Sequence, residues 1–356
     1  MPKSKKIKFS EAINLGLKIA MKKDKNLICY GLGVTDPKAI FGTCSDLENI
    51  FGKRRVFDVP CSENALTGVS IGCALGGIRS VVTHQRLDFF LLAMDQLVNS
   101  AAKWNYMFGD QTPIPITIRL IVGRGWGQGP THSQNLQSWF AHIPGLKVVM
   151  PTFPDDAKNL LIKSIFDPNP IIFIEHRWLH NLEGSVSNFK LNNVKEKSKV
   201  IKKGKDLTIV AMSYLTNEAI KASKILKKYF NVDVEIIDLR FIKPIDYKTI
   251  FNSIKKTKKV LVLDTGIKTC SISSEICAQI TENLFNSLKY PPTRIAMPDI
   301  PEPTSYSLTK NFYTDFDTIV KRVLKILKIN KKLNVIKKFK SKLKHDQPHK
   351  EFIGPF

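Results

Sequence analysis

Cysteine is scarce in this 356-residue chain, and the six present follow no pairing pattern. Cys29, Cys44, Cys61, Cys73, Cys270 and Cys277 include no CxxC, which excludes a zinc ribbon and argues against a disulfide framework. Because several lie inside apolar runs, they are expected as buried thiols in a reducing compartment. Metal-ligating histidine pairs are also missing. His176/His180 and His345/His349 are four apart, but the first pair leaves a strand pattern and the second spans Pro348. No apolar run is long enough to span a membrane, and no signal-peptide core follows the basic start, so a soluble cytoplasmic protein without a transmembrane segment is expected. Acidic residues are in deficit, with 31 Asp+Glu against 55 Lys+Arg and a formal charge of +24. The excess is densest in 321–356, where twelve Lys/Arg meet only Asp346 and Glu351. No aromatic-interleaved basic face accompanies it, so solvated lysines account for the charge and nucleic acid is not expected as a partner.

What is present is a regular alternation of short apolar strands and amphipathic helices. Ser10 to Met21 has helical spacing with Ser10 as cap, and Leu27 to Gly33 reads as a buried strand. Strand patterns recur at Arg55–Val59, Ser80–His84, Pro115–Val122, Leu146–Met150 and Pro170–Arg177, separated by helices that include a long one from Phe89 to Met107. Such alternation specifies a parallel sheet covered on both faces. The pattern dissolves between Leu182 and Lys205 and resumes at Asp206 with a second, smaller set of strands and helices ending near Leu327. The fold class is therefore α/β with two doubly wound domains. They are placed at 8–185 and 206–328, with a linker at 186–205 and a basic tail at 329–356. Apolar residues among the tail lysines, from Ile326 to Phe339, suit an amphipathic helix or a solvated extension equally.

Two stretches carry chemistry. In Asp58-Val-Pro-Cys-Ser-Glu63 one carboxylate stands between a strand and a helix in which Gly68, Gly72 and Gly76 recur every four residues. Three glycines on one helical face mark a stripe that another backbone can approach closely, including one from another subunit. Glu63 is then either a partly desolvated acid suited to proton transfer or a first-turn acid favoured by the helix dipole. The second stretch, Gly123 to Gln134, is a glycine-rich loop able to lie close to a ligand, and it leads to His132.

Taken together with Met94–Lys103, His132-Ser-Gln, Pro144–Pro151, Asp156-Ala-Lys and Asp238-Leu-Arg240 with Pro244, the order of these motifs resembles one family. It is that of the beta subunits of thiamine-diphosphate-dependent 2-oxoacid dehydrogenase E1 components, within the transketolase-like enzymes. The resemblance covers roughly residues 8 to 328. It implies a pyrimidine-binding transketolase-like domain followed by a smaller C-terminal transketolase-like domain. Glu63 matches the glutamate that hydrogen-bonds the cofactor's aminopyrimidine, and His132 matches the active-site histidine that moves a proton during acyl transfer. Phe89 matches the aromatic residue packed on the aminopyrimidine, with Gln85 a further cofactor contact. Ile116, Ser164, Asp167 and Asn169 match positions whose carbonyls hold a potassium ion in some members.

The chain lacks the Gly-Asp-Gly and downstream Asn that bind magnesium diphosphate in thiamine enzymes. The resemblance therefore implies an alpha subunit that holds the diphosphate and Mg2+, in an alpha2beta2 heterotetramer. A lipoyl acyltransferase and a small 2-oxo acid are the other expected partners. Departures from the family pattern fall at Leu32-Gly33, where an acidic pair is usual, at Thr83–Asp88, which is more polar than usual, and in the tail. Within 83–88, His84 and Arg86 are read as substrate contacts, Arg86 pairing with a substrate carboxylate or, alternatively, with Asp88. Two other functions fit the same residues: a specialised thiamine-dependent decarboxylase or acyl-transferring enzyme outside the large complexes, and a non-enzymatic scaffold acting through the basic tail.

Overall fold

The computed structural model describes residues 6–125, 127–190, 194–330 and 345–347. The described residues divide into two compact units, one formed within 6–124 and 131–195 and the other within 125–130 and 196–347.

In the first unit the strands are β1 (Lys6–Lys8), β2 (Ile28–Tyr30), β3 (Val56–Phe57), β4 (Ser80–His84), β5 (Ile116–Val122), β6 (Lys147–Val149), β7 (Ile171–His176) and β8 (Glu183–Ser185). Strands β2 to β7 run parallel in the order β6-β7-β5-β4-β2-β3, while β1 and β8 form a separate antiparallel pair. Every residue of β4, β5 and β7 is buried, as expected of central parallel strands covered on both faces.

The longer helices around this sheet are α1 (Phe9–Lys23), α3 (Glu63–Leu75) and α7 (Pro154–Ile165). Phe9, Ile13, Leu17 and Met21 recur at helical spacing and are fully buried on α1. A side chain at Gly16 would meet the Lys158 carbonyl at 3.2 Å, so α1 and α7 cross backbone to backbone there. Lys8, and not Ser10, caps α1: its N–H donates to Glu11 Oε2 at 2.8 Å, whereas Ser10 Oγ donates to the His180 carbonyl. Pro154 opens α7 at a position where its missing N–H is not needed.

The long helix expected from Phe89 to Met107 is broken. It consists of α4 (Leu87–Phe90), a 3-10 turn at Leu91–Ala93, a π-helical turn at Gln96–Ala101 and α5 (Ala102–Met107). Apolar spacing hides such a break, because one wide turn shifts the register of the stripe by a single residue. Short helices α2 (Leu47–Phe51) and α6 (Gln137–His142) complete the unit and have no amphipathic signature.

The second unit has β9 (Lys199–Lys202), β10 (Leu207–Ala211), β11 (Val234–Asp238), β12 (Phe241–Lys243), β13 (Val260–Ile267) and β14 (Thr293–Met297). Its sheet has the order β14-β13-β10-β11-β9, with β9 antiparallel at the edge. Thus part of the 186–205 stretch expected as linker is a strand. Helices α8 (Tyr214–Phe230), α9 (Tyr247–Thr257), α10 (Ile272–Leu284), α11 (Tyr306–Phe312) and α12 (Phe316–Ile326) cover it. On α12, buried Ile319, Val320, Val323 and Leu324 oppose exposed Lys321, Arg322 and Lys325. Its first backbone N–H groups are held by Asp315, which accepts from Thr318, and by Glu218 of α8, which accepts from Phe316 at 3.0 Å. Leu333, Ile336 and Phe339, read as the apolar side of the tail, lie outside the described residues.

All six cysteines are free. Only Cys29 and Cys44 are buried; Cys61 and Cys270 are exposed, so the expectation of buried thiols holds for two positions and fails for these two.

Candidate active site

Glu63 is the first residue of α3, half-buried, where the helix dipole favours a carboxylate. The buried side of α3 is fixed by Tyr30 on β2, whose hydroxyl donates to the Leu66 carbonyl at 2.8 Å and meets Ser70 Oγ at 2.5 Å. Strand β2 therefore sets the height at which Glu63 stands. The opposite side carries the expected glycines, but no second backbone approaches them within this chain's described residues. The nearest group to a side chain at Gly68 would be Gln96, at 3.7 Å, and at Gly72 nothing lies within 4 Å.

Phe89 and His132, far apart in sequence, meet with ring centroids 5.3 Å apart in an edge-to-face arrangement. Phe89 is 40% exposed, an unusual position for a ring whose neighbours Leu87 and Phe90 are fully buried. His132 Nδ1 lies 3.0 Å from Thr131 Oγ1. Two residues on, Gln134 donates from its backbone N–H and from Nε2 to Asp88 Oδ1, at 3.3 and 2.9 Å. Asp88 itself is buried, and its Oδ2 makes no hydrogen bond to any described group.

Gln85 Nε2 donates to the Leu32 carbonyl at 3.2 Å and lies where a side chain at Gly33 would stand. Gly33, one of the two positions where the resemblance leads to the expectation of an acidic pair, has φ of +79°, and its N–H is held by Asp58 at 2.9 Å. Asp58, the first residue of the Asp58–Glu63 motif, is thus a brace between β3 and the loop after β2.

His84 is buried at the end of β4 with its ring edge-on to Phe90, and burial pushes its pKa down to about 4. Arg86 is buried as well; its guanidinium lies 5.3 Å from the Phe41 ring centroid, and that of Arg177 lies 4.4 Å from the same ring. Burial lowers both guanidinium pKa values to about 10, with Arg86 also acting on Arg177 through charge repulsion and Asp88 partly supporting Arg86. Phe41 closes a run, Ala39 to Phe41, in which three successive non-glycine residues have positive φ. In the sequence Arg177 is marked only as the last of the three polar residues, Glu175-His-Arg177, that end the apolar Pro170–Arg177 strand pattern.

Beneath these groups lies an ion pair inside the sheet. Arg119 of β5 donates from Nε to Glu175 Oε1 at 2.6 Å and from Nη2 to Oε2 at 3.1 Å, with both side chains fully buried. Nη1 reaches Thr83 Oγ1 and Cys44 Sγ. Opposite charges inside two otherwise apolar strands are the signal that announces such a pair.

At the expected potassium positions, Asp167 Oδ1 accepts from the N–H and Nδ2 of Asn169, the Ser164 carbonyl accepts from the Asp167 N–H, and Lys147 Nζ donates to Asp167 Oδ2 at 2.7 Å. Ile116 begins β5, whose next residue, Thr117, pairs with Ile171 just beyond Asn169. Side-chain clusters of His, Cys, Asp and Glu suited to a metal ion are absent among the described residues. No helix among the described residues is long and apolar enough to cross a membrane.

In the glycine loop, Gly125, Gly127 and Gly129 have φ of +72°, +67° and +64°. A side chain at Gly125 would lie 2.7 Å from Asp346 Cβ, and one at Gly129 would overlap Thr304 Oγ1. The close neighbours at these two glycines are the chain's own residues. His345, beside Asp346, packs on Tyr306 with centroids 4.1 Å apart and the rings tilted by 37°, and meets Thr309 Oγ1 at 2.7 Å.

Residues 5–181 match the family described as "Transketolase, pyrimidine binding domain", and 196–319 match "Transketolase, C-terminal domain". The chain is 33% identical over 333 residues to acetoin:2,6-dichlorophenolindophenol oxidoreductase subunit beta of Bacillus subtilis, covering 90% of this chain and 97% of that protein. It is 36% identical over 303 residues to pyruvate dehydrogenase E1 component subunit beta of Porphyra purpurea, covering 85% and 91%. A solved structure described as a split gene transketolase, inactive beta4 tetramer, superimposes with a TM-score of 0.72 at 18% identity, covering 91% of this chain and 99% of that one, and shares the fold. The chain belongs to the transketolase-like family of thiamine-diphosphate-dependent proteins, with the beta subunits of 2-oxoacid dehydrogenase E1 components.

Proposed function

We propose that this chain is the beta half of an E1-like enzyme that decarboxylates a 2-oxo acid and passes the acyl group to a lipoyl carrier. The observation that carries the reading is the meeting of Phe89 and His132 at 5.3 Å, with the aromatic ring left exposed instead of packed in the core.

These residues fit the pyrimidine half of thiamine diphosphate. Phe89 offers a free apolar ring for a flat heterocycle to lie on, and Glu63 offers a carboxylate acceptor at the head of α3. The cofactor, when bound, supplies the electron sink for breaking the carbon–carbon bond beside the carbonyl. Glu63 would hydrogen-bond the aminopyrimidine ring, and Gln85 is assigned to the same region. His132, with Nδ1 engaged by Thr131, keeps Nε2 to give or take a proton at the substrate's carbonyl oxygen. Arg86 and His84 are assigned to the substrate's carboxylate side of the site.

The alpha subunit is assigned the diphosphate and Mg2+, in an alpha2beta2 assembly that engages a lipoyl acyltransferase. The carbonyls of Ile116, Ser164, Asp167 and Asn169 are assigned a potassium ion, for which the measurement is a rise in Tm with KCl that NaCl does not reproduce.

Co-expression with an alpha-type subunit, followed by a panel of 2-oxo acids with thiamine diphosphate and magnesium, tests the function. Carbon dioxide release is expected, and Glu63→Gln is expected to reduce it by about 10²- to 10⁴-fold. Absence of both association and decarboxylation overturns the reading. Release with ferricyanide as acceptor but with no lipoyl domain would favour the enzyme outside the large complexes, which the altered 83–88 segment supports.

A further inference from the structure

We infer that Asp88 is a positioning residue for His132, acting through Gln134 and not through any contact of its own with substrate; this rests on the proposed role of His132. Asp88 and Phe89 are adjacent on α4, and His132 and Gln134 are two apart on the loop that precedes α6. The two segments are joined twice. Phe89 meets His132 edge-to-face at 5.3 Å, and Asp88 Oδ1 takes both the backbone N–H and the side-chain Nε2 of Gln134.

The two attachments differ in kind. An edge-to-face ring contact is weakly directional and tolerates sliding. Two donors converging on one carboxylate oxygen fix a distance and an orientation, and a charged acceptor strengthens each bond. The carboxylate is 9% exposed, so water does not compete freely for it. A backbone N–H is among the donors, so the clamp constrains the path of the loop itself. With Gln134 pinned, the freedom of His132 is reduced to rotation about its own side chain and a short span of backbone.

Arg86, two residues before Asp88 and buried, lies close enough for the carboxylate to support the guanidinium charge. Asp88 Oδ2 remains buried without a hydrogen bond to any described group. One oxygen of the side chain is thus used twice and the other is idle, so the contact with the loop is carried by Oδ1 alone. What Oδ1 does is hold the loop, and Asn retains that oxygen.

The test uses the full chain assembled with its alpha subunit for turnover, and the full chain for chemical modification of His132 by diethylpyrocarbonate, followed by mass spectrometry of the peptide carrying it. Asp88→Ala is expected to lower kcat by about 10²-fold, the scale of a misplaced catalytic group, while KM for the 2-oxo acid changes little. His132 in that variant reacts faster, because the loop is released. Asp88→Asn recovers most of kcat and the slow modification rate. Gln134→Leu removes one of the two donors and should fall between Asp88→Ala and the parent chain, which keeps the test usable should Asp88→Ala fold poorly. Wild-type kcat and wild-type His132 reactivity in both Asp88→Ala and Gln134→Leu overturn the inference, as does Asp88→Asn behaving like Asp88→Ala. If instead the parent assembly decarboxylates no 2-oxo acid, the proposed function fails, while the His132 modification rates still decide whether Asp88 holds the loop.

Discussion

Arg119 and Glu175 face each other diagonally across β5 and β7. Arg119 pairs in register with Phe173 and Glu175 with Ile121, and the two side chains close a fully buried two-point ion pair. Burial disfavours both charges, but the partner together with neighbouring groups, Cys44 at Arg119 and His180 at Glu175, outweighs it, holding the guanidinium pKa up and the carboxyl pKa down. Removing one partner leaves an unpaired charge in the sheet. Glu175→Ala is expected to cost about 3–5 kcal/mol, and Arg119→Met with Glu175→Leu together much less than the sum of the two single changes. Urea unfolding of the two single variants and the double variant checks this; additive costs would contradict it.

Acid should destabilise the chain well before its carboxylates titrate. His84 and His180 are pushed down to about 4 by burial, and burial also drives His176 well below its ordinary value. An unfolded histidine takes up a proton near pH 6.5 while the folded one does not. The contribution of these groups is therefore intact above about pH 6.5 and is lost as pH falls from there toward 4. His84→Gln should unfold at more similar urea concentrations at pH 7.5 and pH 5 than the parent chain does; an unchanged gap would rule out His84 as a contributor.

Gly145 has φ of +91°, and a side chain there would run into the Ala102 carbonyl. Gly145→Ala must therefore adopt a strained conformation and displace the backbone at the start of α5. A loss of more than about 2 kcal/mol is expected, beyond the usual single left-handed penalty of about 1–3 kcal/mol at its lower end. Thermal unfolding measures it, and a Tm equal to the parent's would show that the loop simply moves aside.

Gly72 makes the opposite prediction. A methyl group there meets nothing within 4 Å, and alanine is the better helix former by about 1 kcal/mol. Gly72→Ala should raise the Tm of the isolated chain and weaken its association with the alpha subunit. Equal affinity in a titration of the two subunits would mean that this face of α3 is not where the partner sits.

The alternation of strands and helices was legible because parallel strands buried on both faces appear as uninterrupted apolar runs such as Ile116 to Val122. Glu63 was legible because a lone acid at a strand-to-helix junction stands out locally. Less accessible were features fixed by distant partners. The π-helical turn at Gln96–Ala101 leaves no mark in apolar spacing, and α11 is too short to show a stripe. Ser10 looked like the better cap by residue type, yet Glu11 reaching back to the Lys8 N–H set the true start of α1. The Asp88–Gln134 clamp joins residues 46 apart, and which of the nearby polar side chains meets which is decided by how α4 and the His132 loop come together.

The open side of α3 has a consequence for how the protein is made. Val69 is 52% exposed and Leu75 40%, beside glycines that offer no cover. A chain synthesised in excess of its partner would carry that apolar strip uncovered, a target for self-association and for the machinery that removes orphan subunits. Cellular abundance of this subunit is therefore expected to track the supply of the alpha subunit, and pulse-chase turnover with the partner depleted would measure it.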